Sequence, residues 1–290
     1  MSDLGFIGLG KMGLPILRAI MEKFEVKAVY NRTKSKAAEL QGVKVAEEPF
    51  SVASSCNIIF AILSDDNACE NIFFGEKGIA RTIRPQSIVV NLSTVSPEFS
   101  LSAERRFQEL KCSYIEAPVL GSTALADERK LVSLVSCPEE IYKTVSGVIG
   151  SYSAKVFHLP QAGSAIKMKL IANLIMAVNL AAAGEALLLA EKAGIQKDIA
   201  LEIIDSSGAE SRIVTLKSET IKAGTYEPEF LLKDMVKDLM YASNLSRNLS
   251  SPIPMGSNAL QYYLAAMSIG LGNLDFSSVV RSFRFLIGSS

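Results

Sequence analysis

The sequence predicts an α/β domain with a mostly parallel sheet, followed by an all-α domain built on a long interdomain helix. Three observations predict it. Short apolar runs alternate with helical patterns through residues 1–161. A glycine-rich stretch, Gly8-x-Gly10-x-x-Gly13, joins the first such run to the first helical pattern. After Pro160 no convincing strand pattern recurs, and helix-period apolar spacing continues through residues 162–290.

The first run, Leu4-Gly5-Phe6-Ile7, reads as a strand, and Leu14, Ile16, Leu17, Ile20 and Met21 read as the helix after it. In a strand–turn–helix of this spacing, Gly8 permits the tight turn, Gly10 lets backbone approach a pyrophosphate, and Gly13 lets helix pack on strand. The helix N-terminus adds free N–H groups and a positive dipole end. Gly8, Leu9, Gly10, Lys11, Met12 and Gly13 are thus the candidate phosphate cradle of a Rossmann domain. The second strand, Val26–Tyr30, runs into Asn31, Arg32, Thr33 and Lys36. An NAD site usually carries a carboxylate there for the ribose hydroxyls; a neutral Asn31 and the planar fork of Arg32 instead suit a 2′-phosphate. The expected cofactor is NADP (NADPH).

Further along, residues 35–40 and 49–55 read as short helices, and 43–45 as a short strand. Residues 58–63 and 88–92 are continuous apolar runs, as expected of central strands buried on both faces. Ligands of doubly wound sheets sit at the carboxyl ends of strands, so Leu63, Ser64, Asp65, Ser93 and Thr94 should face the cofactor. Residues 113–119, 131–136 and 156–159 are further strands. Residues 165–193 then form one helix, on the order of 40 Å long. It is uncharged from Leu170 to Gly184, yet Asn173, Asn179 and Glu185 argue for a buried helix rather than a membrane span. Such a helix suggests a homodimer or homotetramer. Gly194 ends it, and helices follow over 199–206, 211–223, 232–249, 254–267 and 276–287.

Bulk properties exclude several classes. Thirty basic residues balance thirty acidic ones, which offers nothing to nucleic acid or a membrane surface. Cys56, Cys69, Cys112 and Cys137 are scattered, with no CxxC pair or neighbouring histidines, so neither disulfides nor a metal site is expected. No signal-peptide pattern opens the chain, and the expected location is cytoplasmic.

Reducing a carbonyl requires a proton donor for the developing alkoxide. The single histidine, His158, reads as a structural or cofactor-side residue, and no Tyr-x-x-x-Lys pair involves Tyr142 or Tyr152. A lysine remains. Lys169 falls within the first two turns of the long helix, which Ser164 could cap. The dipole disfavours a cation there, so its pKa should be pushed down. Asn173, four residues on, shares its face, while Lys167 points elsewhere. Spacing alone does not choose between this acid and two lysines snorkelling to solvent from a helix end.

Residues 5–13, Asn91-Leu92-Ser93-Thr94, Glu116-Ala117-Pro118-Val119-Leu120-Gly121-Ser122 and residues 163–173 occur in that order. Together they resemble the β-hydroxyacid dehydrogenase family, which includes 3-hydroxyisobutyrate dehydrogenases, with the pattern of its glyoxylate/succinic semialdehyde reductase branch. The likeness extends through residues 230–239 and 275–279. It implies a 6-phosphogluconate dehydrogenase-like architecture with the active site in the cleft between domains. It also implies hydride transfer between NADP and a small carbonyl or hydroxy-acid substrate. By position, Lys169 matches the catalytic lysine and Asn173 its partner; Ser93 and Thr94 match the loop serving nicotinamide and substrate. Gly121 and Ser122 match the backbone cradle of a substrate carboxylate, Lys237 a cofactor contact, and Phe230 and Asp238 the substrate cleft.

Departures from the family pattern matter too. Leu120 stands where serine is common, Asn91 where aspartate is frequent, and Arg129 and Ser136-Cys137 where glycines are frequent. Losing the serine hydroxyl points to a longer or more apolar acid, or a carbonyl without an acid. An imine reductase-like enzyme is the alternative, although such enzymes often have Asp or Tyr where Lys169 stands. A non-catalytic NADP-binding module is a further alternative, against which Lys169, Asn173 and Asp238 together argue.

Overall fold

The computed structural model describes residues 3–286. They fall into two compact units that divide between Lys169 and Leu170, inside the long helix. The first unit opens with β1 (Leu4–Ile7), α1 (Gly13–Met21), β2 (Val26–Tyr30), β3 (Lys44–Val45), α2 (Pro49–Ser55), β4 (Ile58–Ala61) and α3 (Asp66–Phe74). It continues with β5 (Ile88–Asn91), α4 (Pro97–Glu109), β6 (Ser113–Glu116), β7 (Val119–Leu120), α5 (Thr123–Asp127), β8 (Leu131–Val135), α6 (Glu139–Ile149) and β9 (Ser153–His158).

Six strands pair in the order β3-β2-β1-β4-β5-β6, all parallel. Every residue of β1, β4 and β5 is buried, because helices cover both faces of a parallel sheet. The register matters most for function. Tyr30, Ile7, Ala61, Asn91 and Glu116 are successive partners across the sheet, so five strands end on one line. The loops that follow them leave from the same edge, where doubly wound sheets bind ligands.

Three expectations change here. The run 113–119 is two strands, not one: β6 ends at Glu116, and β7 pairs antiparallel with β8 in a separate sheet ordered β7-β8-β9. Pro118 between them has no N–H to donate to a ladder, while its carbonyl accepts from Leu134 N. Residues 35–40 form only a 3₁₀ turn, Lys34–Ala37. Strand β4 also stops at Ala61, short of the expected Leu63.

Arg129 shows why glycine is frequent at its position. Its φ is +59°, in the left-handed region, and it ends α5 with its N–H donating to Ala126 O. Its side chain pairs with Glu22 on the surface. Left-handed backbone costs an L-residue about 1–2 kcal/mol, about as much as an exposed ion pair and a stiffer unfolded chain return. Arg129→Gly is therefore expected to leave the melting temperature within about 2 °C of wild type. Arg129→Val, β-branched and without the ion pair, should lower it measurably by thermal denaturation.

Helix α7 (Ser164–Lys192) begins in the first unit and continues into the second, which adds α8 (Lys197–Asp205), α9 (Arg212–Ala223), α10 (Leu232–Asn248), α11 (Pro254–Ser268) and α12 (Val279–Leu286). Ser164 is the first helical residue of α7 rather than its cap; the turn before it is made by Gly163 at φ +80°. Gly194, at φ +79°, closes the far end. The helix is apolar all round but not buried all round. Ala177, Leu180, Ala183 and Leu187 lie in the helical core with Leu232, Met235, Leu239 and Tyr263. Ile171, Ile175 and Leu189 are 46%, 57% and 72% exposed, so one apolar stripe is left uncovered among the described residues. The last expected helix, 276–287, is a 3₁₀ turn (Phe276–Ser278) leading into α12, and Ile287 lies outside the described residues.

Candidate active site

The three glycines of the first turn do different work. Gly8 has φ +98°, and a Cβ on it would stand 2.0 Å from Ile62 O. A Cβ on Gly13 would stand 2.0 Å from Gly8 O. Both are therefore demanded by the protein itself. Gly10 is not: no atom lies within 4 Å of where its Cβ would stand. An open approach to backbone, beside the N-terminus of α1, fits a dinucleotide pyrophosphate. Leu9 contributes backbone rather than side chain, since its side chain is in the core and its N–H donates to Asn31 Oδ1 at 2.8 Å. Lys11 is exposed and Met12 half-buried at this turn.

Asn31 is also committed to structure. It ties the end of β2 to the glycine turn through Leu9, and its Nδ2 donates to Thr33 O at 2.8 Å. Arg32, Thr33 and Lys36 are exposed beyond it, so positive charge rather than a carboxylate stands at this strand end.

A buried polar chain runs along the same edge. Leu63 N–H donates to Ser93 Oγ at 2.8 Å, and Ser93 N–H to Asn91 Oδ1 at 3.0 Å. Asn91 Nδ2 donates to the Tyr114 hydroxyl at 2.9 Å. Ser100 Oγ, 3.4 Å from that hydroxyl, donates to Glu116 Oε1 at 2.5 Å. Glu116 Oε2 accepts from Ile166 N–H, at 3.3 Å, in the first turn of α7. An aspartate at position 91 could accept from Ser93 but could not donate to Tyr114, as the amide does. Burial holds the Glu116 carboxyl above the usual carboxylate range, and pushes the Tyr114 hydroxyl up as well. Ser93 is 1% exposed and its oxygen is spent on Leu63, whereas Thr94 next to it is half-buried.

Gly121, at φ +138°, follows the half-buried Leu120, and a Cβ on it would press Leu131 at 2.7 Å. The Ser122 hydroxyl caps α5 by accepting from Leu125 N–H at 3.4 Å. Just before them, Val119 O accepts from Lys169 Nζ at 2.9 Å. Lys169 is 9% exposed, so it does not snorkel to solvent.

In the second unit, Asn173 and Asp238 are 1% and 2% exposed, and Asn173 Nδ2 donates to Asp238 Oδ2 at 2.6 Å. Lys237 Nζ lies 3.2 Å from Asp238 Oδ1 and 5.3 Å from the centre of the Tyr241 ring. The Asn173 side-chain oxygen is buried with no hydrogen-bond partner among the described residues. An orphaned buried acceptor costs about 1–3 kcal/mol, a cost that a bound donor would remove. Phe230 is edge-on to Phe276 at 5.4 Å, with its N–H donating to Asp275 at 3.3 Å. His158 is structural: its Nε2 lies 2.7 Å from Cys137 O, and its ring stacks on Tyr142 at 4.3 Å. Among the described residues no group of three His, Cys, Asp or Glu is placed to hold a metal ion.

Comparison with known proteins agrees with this layout. The family described as the NAD binding domain of 6-phosphogluconate dehydrogenase matches residues 3–160. The family described as the NAD-binding domain of NADP-dependent 3-hydroxyisobutyrate dehydrogenase matches residues 163–283. Glyoxylate/succinic semialdehyde reductase 1 of Arabidopsis thaliana is 31% identical over 285 residues, 98% of this chain and 99% of that one. The chain belongs to the β-hydroxyacid dehydrogenase family. As an NAD(P)-dependent dehydrogenase of this family it has near structural relatives. The 3-hydroxyisobutyrate dehydrogenase of Salmonella typhimurium shares its fold with a TM-score of 0.86 at 23% identity, over 97% of this chain and 99% of that one. Psf3, solved with NADP+ and 2-OPP, gives a TM-score of 0.86 at 25% identity over the same shares.

Proposed function

We propose that this dehydrogenase uses NADPH to reduce small aldehyde acids of the glyoxylate and succinic semialdehyde kind, with Lys169 as the general acid. One observation carries the reading: an ammonium that is 9% exposed, held on Val119 O directly before the Leu120–Gly121–Ser122 stretch. Four residues along the same helix is Asn173, whose buried oxygen has no partner among the described residues. A bound reduced nicotinamide supplies the hydride for the carbonyl carbon. Lys169 donates its proton to the carbonyl oxygen as negative charge builds there. Asn173, fixed by Asp238, offers its orphaned oxygen to the hydroxyl of the alcohol that forms, and the backbone at Gly121 receives a carboxylate. Leu120 makes this corner more apolar than a serine would, which favours substrates with an aliphatic spacer.

The preference for NADP rests on Arg32, Thr33 and Lys36 at the end of β2, and is supported by the NADP+ bound in Psf3. Arg32→Ala is expected to raise KM for NADPH about tenfold to a hundredfold, the worth of a charge-assisted phosphate contact, and to leave KM for NADH nearly unchanged. Initial rates with each cofactor decide it. The uncovered stripe of Ile171, Ile175 and Leu189 supports a homodimer or homotetramer built on α7, to be read by light scattering.

The test of the reading is a panel of glyoxylate, succinic semialdehyde, longer keto acids and a cyclic imine, followed by NADPH absorbance. Turnover of the aldehyde acids is the expected result. Turnover of the imine alone, or tight NADPH binding with no turnover, would overturn it.

A further inference from the structure

The buried carboxylate at the end of β6 touches neither the glycine turn nor any residue proposed above to meet substrate, yet its surroundings are specific. The backbone of Glu116 is clamped by Ser136, donating to its carbonyl at 3.3 Å and accepting at 2.8 Å, and it is the sheet partner of Asn91. Its side chain is fixed from behind by Ser100 and reaches forward to the N–H of Ile166. Ile166 and Lys169 are three residues apart, hence neighbours on one face of α7. Val119, three residues after Glu116, accepts the Lys169 ammonium. The first two turns of α7 are thus pinned, once each, to one stretch, residues 116–119. One pin is the lysine itself.

Electrostatics favour this pairing. First-turn N–H groups have no partners within their helix, and a carboxylate there is stabilising. A lysine in the next turn is opposed by the same dipole, and the carbonyl of Val119 holds it there.

We propose that Glu116 is a positioning residue for Lys169, holding the first turn of α7 so that the ammonium reaches the Val119–Leu120–Gly121 corner. This rests on the reading of Lys169 as general acid for its kinetic consequence, but not for its geometric one. Two variants separate them. Glu116→Gln keeps the length and can still accept from Ile166 while donating to Ser100. Glu116→Asp keeps the charge and shortens the reach by one methylene. With glyoxylate and NADPH, Glu116→Asp is expected to lower kcat about tenfold or more, since an error of about 1 Å in placing a catalytic group is costly. KM for NADPH should stay within about twofold, and Glu116→Gln should retain at least about a third of wild-type kcat. In a Lys169→Ala background, Glu116→Asp should have no further effect on kcat, because residues that act as one unit are not additive.

Reductive methylation of the free protein, read by peptide mass spectrometry, gives the geometric arm without any turnover. Lys169 should label several times faster in Glu116→Asp than in wild type or Glu116→Gln. Unchanged labelling and kcat in Glu116→Asp would overturn the proposal, as would a kcat loss that persists undiminished without the lysine. Faster labelling in a protein that reduces no aldehyde acid would uphold the positioning role and discard the substrate reading instead.

Discussion

Lys169→Ala is expected to lower kcat by a factor of about a hundred to ten thousand, the range of general acid catalysis, and to leave NADPH affinity within about twofold. The reasons lie in what the side chain touches. Its ammonium is held by Val119 O, whereas the candidate phosphate cradle is backbone of the glycine turn and the β2 end carries its own cations. If the lysine acts only as charge builds on the carbonyl oxygen, kcat and kcat/KM should fall together. Lys169→Met, which conserves shape, should fall as far, showing that packing is not what was lost. Lys169→Arg keeps the charge but cannot give up a proton at working pH, so it too should stay low. The fold should survive all three, because Ile166 and Ala165, both fully buried, keep the first turn of α7 in place. Single-turnover reduction with bound NADPH checks the chemical step directly. A variant at position 169 with wild-type turnover would remove the acid from the mechanism.

What could be read from sequence, and what could not, follows from the distance over which each signal acts. The glycine turn, the central strands and the long helix are local patterns, and each stands where expected apart from a residue or two at its ends. Hydroxyls were harder. Nothing in the sequence says that the Ser93 and Ser122 hydroxyls accept from the Leu63 and Leu125 N–H groups, as they do in the fold. Asp65 and Ser96 begin α3 and α4 as N-caps, with Pro97 at the first helical position, although both stretches also read as ligand loops. The polar chain from Leu63 to Ile166 was out of reach, because it draws single residues from segments as much as 50 positions apart. Glu116 alone suggests nothing; Ser100 behind it and Ile166 ahead of it give it a role. The exposed stripe on α7 has a similar origin. An apolar period reports which residues avoid water, not which chain covers them.

The glycine turn offers a contrast between two substitutions of one methyl group each. Gly8→Ala is expected to lose the folded protein or lower its melting temperature by about 10 °C or more. Its Cβ would sit 2.0 Å from the Ile62 carbonyl at a φ of +98°, and neither the strand nor that backbone oxygen can yield without disturbing β1 and β4. Gly10→Ala should do the opposite. Gly10 is not among the residues with positive φ, and nothing in the protein approaches within 4 Å of the added atom. Its melting temperature should therefore stay within about 2 °C of wild type, since alanine also reduces the entropy of the unfolded chain. The cost should appear only with the cofactor. A methyl group where backbone must meet pyrophosphate should weaken NADPH binding about a hundredfold, near 2.7 kcal/mol, readable by fluorescence titration. Gly10→Ala that binds NADPH as wild type does would mean that the open side of this turn serves something other than a dinucleotide phosphate. Gly10→Ala that fails to fold would mean that its glycine answers a demand of the chain, as Gly8 does.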